Sequence, residues 1–238
     1  MNIVVIAAVL PAFVLLYYIW RRDKYQQEPV KQLLKGFGFG VLATVVAAPL
    51  EILLQQLGLA FANPQTWFAA AWNAFFGVAL VEEGVKLFFL WLLLRKNPYF
   101  DEHMDGVVYA VAVGMGFAAA ENISYLFTYI DQWRTLALSR AVFSVPGHFM
   151  FAVAMGYYYS VHHFDSSSSK LMILLMPILL HGIFDSLLMM SDVTPEWGGV
   201  LWFAFVVFCL TLPGMANRKI DSLLSRDKKD RDNPLIKF

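Results

Sequence analysis

Seven stretches of this chain are apolar for close to the ~20 residues that a helix needs to cross a bilayer, and nothing else narrows the possible folds so far. They cover residues 1–20, 33–57, 67–94, 106–130, 136–161, 171–190 and 197–212. With 59% hydrophobic residues and a mean hydropathy of +0.58, the composition lies outside that of soluble globular chains. The expected fold is therefore all-α, a polytopic membrane bundle of seven helices, or eight if the stretch around residues 60–75 re-enters. Bulky Tyr17, Tyr18 and Trp20, followed by Arg21 and Arg22, stand where a signal peptide would need small residues. The first run is predicted to remain as a membrane helix.

Lys and Arg placement sets the orientation. With the amino terminus outside, fifteen of the eighteen fall in inner segments, Arg134 and Arg140 in outer loops, and Lys86 within the membrane. The carboxyl terminus is then cytoplasmic. A membrane domain is expected over residues 1–216, with a charged, solvated tail, disordered or partly helical, at 217–238. Residues 166–169, all serine, read as a short flexible loop. Cys209 is alone, so no intrachain disulfide is expected. Nothing in the chain points to nucleic acid.

The third run holds Glu82, Glu83 and Lys86, where each ionised group should cost ~3 kcal/mol or more. Other runs add Glu121, His148, and His181 with Asp185. At ~1.5 Å per residue, Glu82 and Glu83 lie ~18 to 20 Å from the inner face, Glu121 ~24 Å, and His181 and Asp185 ~16 to 22 Å. His148 lies ~12 Å below the outer face. All six fall in one slab, between the midplane and the outer half of a ~30 Å layer. The expectation is one buried polar site. Glu82 and Lys86 are four apart, as are His181 and Asp185, so each pair shares a helix face. Pro146 and Pro177 precede the two histidines and are expected to open their helices to water. Glu51 is either a further member or an outer-edge residue. The acidic stretch at residues 101–105 suits a helix cap.

Three glutamates and two histidines can activate water by two routes. A divalent metal such as zinc can be held by Glu and His, with Glu83, Glu121, His148 and His181 as ligands. Alternatively, with no cofactor, a glutamate is the base and a histidine stabilises the oxyanion. The rival readings are a proton-coupled transporter and a non-catalytic partner of single-pass membrane proteins. No His-Glu-x-x-His, Gly-x-Gly-Asp or Gly-x-Ser-Gly occurs.

Several segments together resemble the PrsW family of bacterial membrane proteases and, more distantly, the CAAX-prenyl-protease superfamily. They are Asp23-Lys24-Tyr25 with Glu28-Pro29, Glu82-Glu83-x-x-Lys86, and residues 101–106 with Val108-Tyr109. They continue with Gly116-Phe117-Ala118-x-x-Glu121-Asn122, Pro146-x-His148 and Leu180-His181-Gly182-x-x-Asp185. The resemblance implies that residues 1–216 form a protease domain in the bacterial cytoplasmic membrane. It implies site-one cleavage of a membrane-anchored anti-sigma factor on its extracytoplasmic side. Glutamate-type chemistry is favoured slightly over the metal route: Glu82 or Glu83 activates water, Glu121 and His148 orient it, and His181 with Asp185 handles the peptide. Lys86 and Asn122 are expected to orient these groups.

Overall fold

The structure, a computed structural model, describes residues 2–165 and 169–232, and these are helical with no strand. The elements are α1 (Asn2–Arg22), α2 (Val30–Gln56), α3 (Trp67–Trp72), α4 (Leu80–Leu94), α5 (His103–Thr128), α6 (Trp133–Ser139), α7 (Val145–Asp165), α8 (Lys170–Val193) and α9 (Gly198–Arg231). Two wide π-helical segments interrupt the regular turns. One, Asn73–Ala79, joins α3 to α4; the other, Arg140–Ser144, joins α6 to α7.

Six helical stretches are long and apolar enough to cross a membrane: α1, α2, α5, residues 130–165, α8 and α9. The third apolar run is also helical from Trp67 to Leu94, but carries Glu82, Glu83 and Lys86 in its middle. The protein is thus an all-α, multi-pass membrane bundle. Residues 60–75 add no separate helix, because α3 continues directly through the π segment into α4.

The central post is α5, buried at every residue from His103 to Ala119. Its Val, Ala and Gly side chains are small, so α1, α2 and α7 approach it closely. Gly116 lies against the Phe37 carbonyl of α2, and Gly156 of α7 against the Gly106 carbonyl; a methyl group at either would collide with that backbone. These approaches hold the site-bearing helices at short range.

At the end of the bundle where α5 begins, acidic side chains close the helix. Glu102 and Asp105 form a capping box, with Asp105 Oδ2 accepting from the Glu102 amide at 2.6 Å. Asp227 of α9 accepts from the His103 amide at 2.8 Å and the Met104 amide at 3.0 Å. His103 also lies 2.9 Å from Asp227 and 3.0 Å from Asp165, and Arg226 pairs with Asp165. Glu28 accepts from the Tyr109 hydroxyl. Burial, then the charges of Glu102, Glu28 and Asp227, push Asp23 up to about 7. Burial also raises Glu28 to about 7, against the lowering bond from Tyr109.

The expected boundary at residue 217 falls inside α9, which runs unbroken to Arg231. Ile220, Leu223 and Leu224 are buried in the core shared by α1, α5 and α7, so this part of the tail is packed rather than solvated. Residues 233–238, and residues 166–168 of the expected flexible loop, lie outside the described residues.

Candidate active site

The side chains of the site are delivered by the inward faces of their helices, as on α4, where Glu82, Glu83 and Lys86 share the buried face with Leu90 and Leu93 while Phe88 and Trp91 are exposed on the other. From α4, Glu82, Glu83 and Lys86 point inward at 5%, 1% and 4% exposure. Lys86 Nζ lies 3.0 Å from Glu82 Oε2, 2.8 Å from Glu83 Oε1 and 3.3 Å from His148 Nδ1. It also sits 3.9 Å from the centre of the Phe117 ring, a face that attracts cations. An ammonium has hydrogens to donate and no lone pair. His148 Nδ1 therefore accepts, and its Nε2 carries the proton that goes to Glu121 Oε2 at 2.9 Å. Glu121 receives a second donor, Arg140 Nη2, at 2.6 Å.

A second chain of contacts enters from α8. His181 Nδ1 lies 2.9 Å from Glu83 Oε1, and its Nε2 lies 3.2 Å from Asp185 Oδ2. Both ring nitrogens thus face carboxylate oxygens, the arrangement that an imidazolium satisfies. Phe151 stacks on the ring at 4.8 Å and fixes its plane. Glu83 is consumed by Lys86 and His181, whereas Glu82 meets Lys86 and also lines a cavity of about 860 Å³. Glu51, Glu121, His148, His181 and Asp185 line the same cavity.

The six side chains expected to form one site thus converge, with Glu83 one contact behind the cavity wall. Glu51, left open by the sequence, faces the cavity from α2. Arg140 is corrected: it is no outer-loop charge but is buried at 8% exposure, donating to Glu121 and, through Nε at 2.6 Å, to Asn122. Asn122 in turn donates to the Ala8 carbonyl at 3.0 Å, tying the site to α1. The sequence offered one signal for Arg140: eight residues separate it from His148, about two helical turns on one face.

Glu82, Glu83, His148 and His181 each offer a ligand atom within 4.8 Å of the others. Glu121, expected among the ligands, is outside this group, held by Arg140 and His148. Two carboxylates and two imidazoles are a donor set that suits zinc. Lys86 Nζ is the cation that three of these four residues meet here.

A membrane bundle with an acid–base cluster buried beside a large cavity defines the class, an intramembrane enzyme. The sequence model described as "PrsW family intramembrane metalloprotease" matches residues 28–212. Protease PrsW of Clostridioides difficile (strain 630) is 35% identical over 231 residues, 93% of this chain and 92% of the relative. Protease PrsW of Geobacillus kaustophilus (strain HTA426) is 34% identical over 217 residues, 90% and 89% of the two chains. Protease PrsW of Bacillus subtilis (strain 168) is 32% identical over 192 residues, 79% and 84%. No solved structure matches the chain. The chain belongs to the PrsW family and is a peptidase. The transporter and non-catalytic readings therefore give way.

Proposed function

We propose that this protein is an endopeptidase of the bacterial cytoplasmic membrane that cuts a single-pass membrane protein, an anti-sigma factor, near the outer surface. The amino terminus is outside, and the cut is the site-one step. One observation carries the reading: Glu82, Glu121, His148, His181 and Asp185, from four apolar helical stretches, line a single cavity of about 860 Å³.

In the proposed reaction Glu82 takes a proton from water, and the oxygen attacks the scissile carbonyl carbon. Glu121 and His148 orient the water. The guanidinium of Arg140 presents the N–H groups not taken by Asn122 and Glu121 to the oxyanion, and His181, whose two N–H groups are held by Glu83 and Asp185, adds positive charge and orients the peptide. As the C–N bond breaks, Glu82 returns its proton to the leaving nitrogen. Glu82 is preferred to Glu83 as the base because Glu83 is already bonded to Lys86 and His181. Lys86 holds the two glutamates apart from full mutual repulsion.

The residues that would hold a divalent ion are Glu82, Glu83, His148 and His181. Such an ion, when bound, would polarise water and the carbonyl. The place of Lys86 among these donors favours the glutamate reading. The test is cleavage of a single-pass anti-sigma factor by purified protein in vesicles, with and without chelator, alongside bound-zinc measurement. Chelator-resistant cleavage that is lost in Glu82→Gln is expected; stoichiometric zinc whose removal stops cleavage would overturn the glutamate mechanism.

A further inference from the structure

A second cavity, about 550 Å³, lies between α4, α7 and α8, apart from the active-site cavity. Leu87, Phe88 and Ile173 give it an apolar wall. Toward one end it is lined by Trp91, Tyr159, His162, His163 and Lys170. From Gly84 to Trp91 it follows α4 for ~10 Å. Beyond Trp91 the guanidinium of Arg95 lies 5.0 Å over the indole ring. No carboxylate lines this cavity among the described residues, and no carboxylate pairs with Lys170 among them.

An apolar groove that ends in cations and interfacial aromatic side chains has the polarity of one lipid. We propose that it binds an anionic phospholipid, with an acyl chain along Leu87, Phe88 and Ile173 and the phosphate among Lys170, His162, His163 and Arg95. Basic pockets between membrane helices take such headgroups. Size disfavours a protein segment: a helix ~10 Å across displaces about 400 Å³ per turn, so the cavity holds little more than one turn. Its wall is the helix that carries Glu82, Glu83 and Lys86 on another face. The lipid therefore bears on the support of the site, and binding itself is independent of the peptidase mechanism.

The test uses the full-length protein in phosphatidylcholine vesicles containing acyl-brominated lipid, with Trp91→Phe identifying the Trp91 fraction of the fluorescence. At equal mole fraction, brominated phosphatidylglycerol should quench Trp91 with about fivefold higher affinity than brominated phosphatidylcholine, the effect of one nearby cation. The triple variant Lys170→Gln, His162→Gln, His163→Gln should lower that preference at least severalfold. Gly84→Leu, whose Cβ meets nothing within 4 Å and whose side chain starts from the cavity wall, should reduce quenching by both lipids. Equal quenching by both headgroups in the unmodified protein would overturn the proposal. So would a preference unchanged in the triple variant, or displacement of the phospholipid by a stoichiometric single-pass peptide.

Discussion

Two clusters of buried ionisable groups stand in this bundle, and they differ in charge balance. In the active site four carboxylates, Glu82, Glu83, Glu121 and Asp185, are interleaved with Lys86, Arg140 and His181, and most of these groups border open space. At the start of α5, the carboxylates of Asp23, Glu28, Glu102, Asp105 and Asp227 outnumber the cations, and several are bonded to backbone amides or to Tyr109. Carboxylates already occupied by amides have little capacity left for chemistry. Those paired with side-chain cations beside a cavity retain it. On the proposed reading the first cluster is machinery and the second is a clasp.

Substitutions should separate the two. Glu82→Gln should lower cleavage ~10² to 10⁴-fold, the range for loss of a general base, while the thermal midpoint in detergent stays within a few degrees. A comparable loss of folding would place Glu82 with the clasp instead. Lys86→Met leaves Glu82 and Glu83 buried without their cation and should destabilise by about 3 to 5 kcal/mol. Adding Glu83→Gln should recover part of that, as read from denaturation midpoints. Asp227→Ala uncovers two α5 amides and should cost about 1 to 3 kcal/mol, with the activity per folded molecule nearly unchanged.

The last effect is a pH dependence. Asp23 sits at about 7 in the folded protein, against ~3.9 for a free aspartate. The folded state therefore holds this proton more tightly than the unfolded state does. Its stabilising contribution is full below pH ~4 and is lost as pH rises through ~7. Asp23→Asn, neutral throughout, should raise the melting temperature by several degrees at pH 8 and change it little at pH 4. Equal shifts at both values would assign the effect to packing.

Much of the site was legible because charge in hydrocarbon is expensive: Glu82, Glu83, Glu121, His148, His181 and Asp185 stand out against apolar surroundings. Arg140 was not, since an arginine near a predicted span end reads as an interfacial residue until its partners are known. The clasp by α9 was hidden by the charged composition of residues 217–232. Its signal is present in the spacing of Ile220, Leu223, Leu224 and Asp227, the i, i+3, i+4, i+7 stripe of a helix with one buried face. The helical architecture followed from run lengths, but the close packing around α5 rests on glycines whose neighbours no sequence pattern identifies.

The two π segments carry a consequence for protein engineering. Each immediately precedes a helix that bears site residues, α4 with Glu82 and α7 with His148. A π turn holds roughly one residue more than an α turn, so these segments act as angular offsets. Deleting one residue from 73–79, with the remaining turns kept at their width, would rotate the start of α3 and the glutamates of α4 by ~80 to 100° relative to each other. The aim of the reactive groups is thus set by residue count in a stretch that contains none of them.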